Sequence, residues 1–479
     1  MGSETHLLPH VVMVSFPGQG HINPLLRLAK RLASKGLYIT FTTTSSAGKM
    51  IQTSSTNNTS DTTIKIGQGE LRFEYFSDGW AEDDVKRFDL DSLMNQLETV
   101  GRDSFVQLVK RQADELGRPV SCIINNPFVP WVSDVATDME IPCAVLWVQS
   151  CAVYSAYYHY FHKLASFPTP EQPDRPLEIP GLPTLESDEV PSFLHPLDPY
   201  ESLMLAILEQ FKNLSKSFAV LVDSFEELEQ EAIHPMLNLS PIKPVGPLFK
   251  FNDNEEKTNS IRGDMWSTTD ECIKWLDSKP AGSVVYVSFG SIVTLGKDQM
   301  EEIAKGLLNS GQPFLWVVKP PPEGISGDDC RLPDGFIEEA EGKGLVVQWC
   351  PQDRVLAHGS VGCFVTHCGW NSSMESLSLG VPIVAAPQWG DQVTNAKFLV
   401  DVYGVGVRLG RNSKDLKTVS REQVEKCVIE VTRGLKAEEI KKNALKWKKI
   451  AEEAVAKGGS SDKNLQEFVD DIRRKAFNK

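Results

Sequence analysis

The sequence contains no long hydrophobic run, no paired cysteine motif and no excess of positive charge. None of its apolar stretches approaches the ~20 residues that a membrane-spanning helix requires. The formal net charge is −15 at pH 7, with 64 acidic against 49 basic side chains. That balance argues against binding to nucleic acid or to anionic membranes, since both attract lysine and arginine. We therefore expect neither partner.

The nine cysteines are an odd number, and none of them forms a CxxC pair. Scattered cysteines are typical of a reducing compartment rather than of a disulfide framework. Cys363, His367 and Cys368 lack the second ligand pair of a zinc site, so they are interpreted as buried residues at a strand end. The N-terminal residues show no basic segment followed by an apolar core and a cleavage site. These features predict a cytoplasmic protein.

Short apolar runs alternate with segments of helical length in both halves of the chain. Residues 10–16 and 38–44 predict buried parallel strands on either side of a helix that begins at Asn23, with Pro24 at its first position. Five further runs follow at 283–289, 314–318, 345–349, 362–366 and 382–386. A chain of 479 residues is too long for one ordinary core. The sequence predicts an α/β protein with two Rossmann-like, doubly wound parallel-sheet domains facing across a cleft.

A polar segment without periodicity separates the two halves. We place the N-terminal domain at 1–248, a linker at 249–264 and the C-terminal domain at 265–459. The last segment, 460–479, carries apolar residues at helical spacing, namely Leu465, Phe468, Val469 and Ile472. This spacing predicts a final helix that packs on the body of the protein.

The most informative segment runs from Trp349 to Gln392 (WCPQDRVLAHGSVGCFVTHCGWNSSMESLSLGVPIVAAPQWGDQ). Within it, residues 366–373 combine a strand end, a glycine and a helix start, where free N–H groups and the helix dipole predict an anion site. An ordinary Asn or Ser helix cap is the alternative. Trp349 offers a ring face for a base, although a lone tryptophan is more often a core residue. Glu375, Asp391 and Gln392 offer polar groups for sugar hydroxyls.

This segment resembles, position for position, the donor-binding signature of plant family 1 glycosyltransferases, which transfer a sugar from a UDP-sugar to small molecules. The resemblance implies the GT-B fold, in which the N-terminal domain binds the acceptor, the C-terminal domain binds the UDP-sugar and the last helix crosses back. It assigns uracil to Trp349 and the Cys350 backbone, ribose to Gln352 and Glu375, the phosphates to His367, Asn371 and Ser372, and the hexose to Trp370, Asp391 and Gln392.

Three further positions bear on the donor. Ser291 matches a family position near the β-phosphate and the sugar. Gln392, at the last place of the signature, is typical of glucose donors in the family. Val148 stands where the family often has a threonine that contacts the sugar 6-hydroxyl, so the sequence does not support that contact.

His21 follows the first predicted strand, at the sheet edge where ligands of such folds bind. An imidazole there can act as general base, whereas a turn histidine bonded to the helix start is the alternative. The resemblance implies that His21 is the catalytic base and that its usual aspartate partner falls on Asn126. An amide accepts a hydrogen bond from imidazole but does not stabilise imidazolium by charge. His21 is therefore expected to be a weak base.

A weak base favours a carboxylate acceptor. A phenol near pKa ~10 must lose its proton, at about 4 kcal/mol at pH 7, whereas a carboxylic acid near pKa ~4 is already ionised. Segments such as 125–136 (NNPFVPWVSDVA) resemble plant ester-forming glucosyltransferases that act on hydroxybenzoates, hydroxycinnamates and limonoid acids. The predicted reaction is an inverting transfer from UDP-glucose to the carboxylate of a small aromatic or related acid, giving a 1-O-β-glucose ester. O- or C-glucosylation of phenols or flavonoids is the alternative.

The acceptor pocket is expected in the N-terminal half, although most of its candidate residues fit a core equally well. They are Phe16, Phe128, Trp147, Gln149, Tyr154, Phe193 and Leu194. A DxD motif at 89–91 lies in a polar stretch and is interpreted as a solvated helix face, so no metal is expected. A nicotinamide or flavin oxidoreductase is disfavoured because Asn23 replaces the last glycine of the dinucleotide fingerprint. We expect a monomer that uses UDP-glucose as co-substrate and no cofactor.

Overall fold

The computed structural model describes residues 8–54, 63–81, 84–198, 201–249, 263, 271–319, 331–410 and 418–477. The chain divides into two compact units. The first unit comprises Met1–Thr184, Phe193–Ser267 and Glu453–Lys479, and the second comprises Leu185–Ser192 and Thr268–Glu452. Residues 185–192, which the sequence assigned to the N-terminal domain, thus group with the second unit. Apart from residues 249 and 263, the predicted linker at 249–264 lies outside the described residues.

The first unit is built on an eight-stranded sheet. Its strands are β1 (His10–Val14), β2 (Tyr38–Thr44), β3 (Ile64–Ile66), β4 (Gly69–Phe76), β5 (Val120–Asn125), β6 (Cys143–Trp147), β7 (Ser217–Val222) and β8 (Ile242–Pro244). They lie in the order β3-β4-β2-β1-β5-β6-β7-β8. Among the strands that the structure describes in this sheet, only β3 is antiparallel to its neighbour. Every residue of β1 and β2 is buried, as expected for strands covered on both faces.

The helices that cover this sheet are α1 (Gln19–Ser34), α2 (Ser45–Ser54), α3 (Leu90–Gln96), α4 (Arg102–Asp114), α5 (Trp131–Asp138), α6 (Cys151–Phe161), α7 (Glu201–Asn213) and α8 (Glu226–Met236). The predicted start of α1 at Asn23 is wrong, because the helix begins at Gln19 and Pro24 lies inside it. The Gln19 side chain donates to Gly263 O at 2.8 Å and to Asn23 Oδ1 at 2.9 Å. The backbone bonds of the helix begin at Gly18 O, which accepts from Ile22 N at 3.0 Å, although glycine has a low helix propensity.

The second unit contains a six-stranded, fully parallel sheet. Its strands are β9 (Val284–Ser288), β10 (Phe314–Val317), β11 (Gly344–Val347), β12 (Val361–Thr366), β13 (Ile383–Ala385) and β14 (Gly406–Arg408). Their order is β11-β10-β9-β12-β13-β14. The five strands predicted in this half are confirmed to within two residues. The edge strand β14 was not predicted, since three residues are too few to show a periodicity.

The helices of the second half are α9 (Glu271–Asp277), α10 (Lys297–Ser310), α11 (Phe336–Glu339), α12 (Gln352–Leu356), α13 (Trp370–Leu379), α14 (Gln392–Lys397), α15 (Arg421–Arg433) and α16 (Ala437–Val455). In the first half of the chain, short 3-10 turns occur at Val85–Phe88, Ser192–Leu194 and Leu214–Lys216, and a π-helical turn at Leu97–Gly101. A second π-helical turn follows α14 at Phe398–Val402. In the part of the chain that the structure describes, no helix has both the length and the apolar character needed to cross a bilayer.

The C-terminal helix α17 (Ser460–Phe477) packs on the first unit. Its apolar face joins the core that lies between α1 and the sheet, through Leu465, Phe468, Val469 and Ile472. Polar contacts flank this face: Lys35 Nζ lies 2.7 Å from Asp462 Oδ1, and Asn464 donates to Pro244 O at 2.9 Å. The final helix thus completes the core of the unit that contains the N-terminus.

Candidate active site

The predicted donor residues collect at the carboxyl edge of the second sheet, where the strand order reverses. Strand β9 lies between β10 and β12, and the later strands continue away from β12 on that side. Ser291 follows β9, and His367 follows β12. Loops that leave adjacent strands in opposite directions open a crevice, which is where open α/β sheets bind ligands. Ser291 and His367 therefore stand on the two sides of such a crevice.

The imidazole of His367 occupies a space that two glycines leave open. A Cβ atom on Gly290 would lie 2.6 Å from the ring, and one on Gly369 would lie 2.5 Å from it. Larger residues at these two positions would displace the ring. Burial lowers the pKa of His367 to about 4, and the charge of Lys319 adds to this effect. The ring is therefore neutral at pH 7, and its buried Nδ1 makes no hydrogen bond to any described residue.

Helix α13 begins at Trp370, three residues after His367 and within the segment 366–373 where the sequence predicts a helix start. Its N-cap is Gly369, which has no side chain to cap the helix, and the Asp391 carboxylate accepts from the Trp370 N–H. The alternative of an ordinary Asn or Ser cap is therefore not what the structure shows. Cys368 has a φ of +64°, which costs a non-glycine residue about 1–2 kcal/mol. This turn leads into the N-terminus of α13, where the positive end of the helix dipole lies.

A hydrogen-bonded group joins the residues predicted to bind ribose. Gln352 Nε2 donates to Ser372 Oγ at 2.9 Å and to Glu375 Oε2 at 2.8 Å. The hydroxyl of Tyr286 donates to Gln352 Oε1 at 3.1 Å and lies 3.3 Å from Cys350 Sγ. Tyr286 is buried on β9 and was not predicted, since its pattern is that of a core residue. It fixes the orientation of the Gln352 amide.

Lys319 lies beside two of the predicted donor residues and was not itself predicted from the sequence. Its Nζ donates to Ser291 O at 2.9 Å and lies 5.1 Å from the ring centroid of Trp349. Burial lowers the pKa of Lys319 to about 8. The signal that could have identified it is its position, because it follows β10 closely at the edge that carries Ser291. The structure thus places a cation between the predicted uracil and phosphate ligands.

The end of the signature folds into a turn before α14. Asn395 donates to Asp391 Oδ2 at 2.7 Å and to Cys368 O at 3.0 Å, which ties this turn to the one before α13. Burial raises the pKa of Asp391 to about 6, and the bond from Asn395 opposes this effect. Gln392 Oε1 accepts from the backbone N–H groups of Gln388 at 3.0 Å and Trp389 at 3.3 Å. Asn395 was also missed, because no local pattern marks it.

In the first unit, His21 and Asn126 follow the adjacent strands β1 and β5, where this sheet also reverses its order. The ring of His21 lies edge-on to Phe16 at 5.2 Å and to Phe128 at 4.9 Å, centroid to centroid. Burial lowers the pKa of His21 to about 4, partly offset by the Asn126 side chain. Neither His21 Nδ1 nor Asn126 Nδ2 makes a hydrogen bond to a described residue, so the contact between the two side chains is weak. His21 is neutral at pH 7.

The predicted acceptor residues fall into three places. Phe16 and Phe128 contact His21, as described. Phe193 and Leu194 line a pocket of about 640 Å³ together with Tyr160, Phe167 and His195. Gln149 is half-buried, and its Oε1 makes no hydrogen bond to a described residue.

Trp147 and Tyr154 differ from the predicted lining role. Both are almost fully buried, and their rings pack against each other at 5.2 Å and against Phe211 at 5.7 and 5.4 Å. The Tyr154 hydroxyl also bonds to Ser240 Oγ at 2.7 Å. These contacts make the two residues part of the core.

The DxD motif lies at the start of α3. Asp89 caps that helix by accepting from Ser92 N at 3.3 Å, and both aspartates are exposed to solvent.

Comparisons with known proteins agree along the whole chain. The model of the family "Glycosyltransferase, N-terminal domain" matches residues 10–195, and that of "UDP-glucoronosyl and UDP-glucosyl transferase" matches residues 264–457. A gallate 1-beta-glucosyltransferase from Punica granatum is 57% identical over 477 residues, which are 100% of this chain and 91% of that protein. The chain belongs to the UDP-glycosyltransferase family.

Two further relatives support this assignment. A cinnamate beta-D-glucosyltransferase from Fragaria ananassa is 54% identical to this UDP-glycosyltransferase, over 99% of this chain and 84% of that protein. The crystal structure of Os79 from O. sativa in complex with UDP matches with a TM-score of 0.84 and 33% identity, over 96% of this chain and 100% of that one. The predicted family and the GT-B class with two parallel-sheet domains are confirmed. The protein is a UDP-glucosyltransferase.

Proposed function

We propose that this UDP-glucosyltransferase transfers glucose from UDP-glucose to the carboxylate of a small aromatic acid and forms a 1-O-β-glucose ester. The observation that carries the proposal is the pairing of a neutral His21 with Asn126 instead of an acid. Such a histidine deprotonates a phenol poorly, whereas a carboxylate is ionised before it binds. An aspartate at position 126 would also repel a carboxylate, and an asparagine does not.

The names of the relatives favour the same chemistry. Cinnamate, which the Fragaria ananassa enzyme is named for, has a single nucleophilic group, its carboxylate. Gallate, the substrate named for the Punica granatum enzyme, also carries a carboxylate. At 54% and 57% identity over nearly the whole chain, a shared acceptor class is the simplest expectation.

For the donor, we propose that UDP-glucose lies along the carboxyl edge of the second sheet. The ring of Trp349 takes uracil with the Cys350 backbone, and the linked group of Gln352 and Glu375 takes ribose. The pyrophosphate lies at the start of α13, where it receives N–H groups, the Ser372 hydroxyl and the charge of Lys319. Its remaining contacts are assigned to His367, Asn371 and Ser291, and glucose is assigned to Trp370, Asp391 and Gln392.

The chemical step is a single displacement at the anomeric carbon. A carboxylate oxygen attacks C1 on the face opposite UDP, the new C–O bond forms, and the electron pair of the old bond leaves with the β-phosphate. Configuration therefore inverts from α to β. The helix N–H groups, Ser372 and Lys319 stabilise the charge on the departing UDP. We propose that these donors make the reaction independent of a metal or cofactor.

On the acceptor side, we propose that Phe16 and Phe128 contact the aromatic ring while a His21 N–H holds one carboxylate oxygen. A hydrogen bond of this kind leaves the other oxygen aimed at C1. We propose that Phe193, Leu194 and Gln149 supply further contacts to the acceptor. Trp147 and Tyr154 are core residues and are given no contact with the acceptor.

The test is product analysis with two matched acceptors, cinnamate and cinnamyl alcohol, and with a phenol of similar size. With UDP-glucose we expect a monoglucoside of cinnamate by mass spectrometry, released again by mild alkali because esters hydrolyse there. Glucosides formed by O- or C-glucosylation of the phenol resist that treatment. Efficient transfer to the phenol alone, or an alkali-stable product from cinnamate, would overturn the proposal.

We further propose that the enzyme is a monomer in the cytoplasm. The described cysteines are free thiols and, apart from Cys427, buried, which suits a reducing compartment. Analytical ultracentrifugation at micromolar concentration tests the first point, and fractionation of the tagged protein tests the second.

A further inference from the structure

The turn that carries Asp391 and Gln392 is held from outside by a distant part of the chain. Ser192 N donates to Gly390 O at 2.9 Å, and Gly390 N donates to Ser192 Oγ at 2.7 Å. Both polar backbone groups of Gly390, the residue directly before Asp391, are therefore bonded to one serine. Two opposed hydrogen bonds fix the position of a peptide more strictly than either bond alone.

A second contact holds the other side of the same turn. Thr394, in the first turn of α14, donates its hydroxyl to Glu189 O at 2.6 Å. Glu189 is fully buried, and its carboxylate lies 3.4 Å from Lys397 Nζ and 3.9 Å from Arg408 Nη1. A buried carboxylate between two cations resists displacement, since moving it would leave an unpaired charge in the interior. Glu189 thus anchors the segment that carries Ser192.

These contacts bracket the proposed glucose ligands. Gly390 precedes Asp391 and Gln392, and Thr394 follows them, so both flanks of the pair are bonded to residues 185–192. Within the turn, Gln392 Oε1 accepts from the backbone N–H groups of Gln388 and Trp389, which move with it. The uracil and ribose group at Gln352 and Glu375 belongs to a different part of the site.

We propose that residues 185–192 form a strap that positions the glucose-binding turn, with Ser192 and Glu189 as positioning residues for the sugar half of UDP-glucose. The inference rests on the proposed donor roles of Asp391 and Gln392. It predicts that the strap governs recognition of glucose and leaves recognition of the nucleotide unchanged.

The test compares Ser192→Ala with Ser192→Thr in the full-length enzyme, using calorimetry with UDP and a non-transferable UDP-glucose analogue. We expect Ser192→Ala to raise the Kd for the analogue about fivefold, because one hydrogen bond to the turn is lost. The Kd for UDP should stay within about twofold of that of the unmodified enzyme. Preference for UDP-glucose over UDP-galactose should fall as well. Ser192→Thr keeps the oxygen and should restore both values.

The matched control is Ser310→Ala. Ser310 is a buried serine of the second unit, and like that of Ser192 its Oγ accepts a backbone N–H, from Gln312 at 3.3 Å. This variant should change neither Kd. If Ser192→Ala lowers the yield of folded protein, Glu189→Gln replaces it in the same comparison. This variant keeps the backbone contact to Thr394 but removes the charge that pairs with Lys397 and Arg408, so it should also raise the Kd for the analogue more than the Kd for UDP.

If Ser192→Ala raised the Kd for UDP and for the analogue equally, or changed neither, the proposal that the strap positions the glucose-binding turn would be wrong. A wild-type enzyme that binds UDP but not the analogue would instead refute the proposed donor roles on which the strap rests.

Discussion

At the residue scale, the protonation of His21 decides which acceptors react. Its pKa of about 4 means that the ring is neutral and a weak base throughout the physiological range. A carboxylate acceptor titrates in the same region, near ~4. We therefore expect the rate with cinnamate to stay level above pH 7 and to fall as the pH drops toward 4, because Asp391, with a pKa of about 6, and then the acceptor gain protons.

Asn126→Asp should convert the enzyme toward phenols. A carboxylate beside His21 stabilises the imidazolium and raises its pKa, which makes the ring a stronger base. We expect the rate with a phenol to rise about tenfold at pH 7 and the rate with cinnamate to fall by a similar factor. Initial rates with both acceptors measure this, and Asn126→Ala is the control for loss of the amide alone. Parallel changes on the two acceptors would contradict the argument from charge.

Lys319→Met should weaken the binding of UDP through the phosphates. We expect about a tenfold higher Kd for UDP at low salt and no change for uridine, which carries no phosphate. Lys279→Met is the matched control, since its Nζ also lies over a tryptophan ring, that of Trp275, at 4.5 Å. Calorimetry with the two ligands decides the matter: equal losses for uridine and UDP would assign Lys319 to the support of Trp349 instead.

Asp391→Asn should stabilise the protein while it weakens the binding of UDP-glucose. The folded pKa of Asp391, about 6, lies above the ordinary value of 3.8, so folding favours the protonated form. Stability is therefore lost as the pH rises from 4 through 6, by at most about 3 kcal/mol. The variant should remove this slope and raise the free energy of unfolding at pH 7.5 by about 2 kcal/mol. Urea titrations at pH 4.5 and 7.5 measure the free energy of unfolding of both proteins. If the variant kept the same decrease in stability between these pH values, Asp391 would not be its source.

At the scale of elements, the sequence predicted those parts that depend on local pattern. The apolar runs located five strands of the second sheet, and the glycine after β12 located the start of α13. The start of α1 was missed because Gly18 and Gly20 have low helix propensity and Pro24 is typical of a first helical position, whereas the helix begins at Gln19. The contacts of Ser192 to Gly390 and of Lys319 to Ser291 were missed because they join residues far apart in sequence.

The C-terminal helix offers an element-scale prediction. Phe468 is fully buried in the core beside α1, and its ring stacks on Phe218 at a centroid distance of 5.6 Å. Phe468→Ala should lower the free energy of unfolding by about 3–5 kcal/mol, because it leaves a cavity in that core. Leu435→Ala, at a fully exposed leucine, is the control and should change it by less than about 0.5 kcal/mol. If urea unfolding showed that Phe468→Ala lowers the free energy of unfolding as little as Leu435→Ala does, α17 would not be part of the folded core.

At the scale of the whole molecule, both sheets place their functional residues by the same rule. His21 and Asn126 follow adjacent strands where the first sheet reverses, and Ser291 and His367 do so in the second. The net charge of −15 does not prevent the binding of a dianionic nucleotide, since the site supplies its own N–H groups and a lysine. Recognition therefore depends on local geometry at two separate sheet edges.

This separation predicts where ligands will protect the backbone. UDP alone should slow amide hydrogen exchange around residues 290–291, 349–352 and 366–373, because its phosphates bond to N–H groups there and bound ligand stabilises the second unit. Cinnamate alone should act near residues 16–21 and 126–128. Exchange measured by mass spectrometry with each ligand singly tests both expectations. Strong protection of residues 16–21 by UDP alone, with none at 366–373, would place the nucleotide in the first unit and reverse the assignment of the two sites.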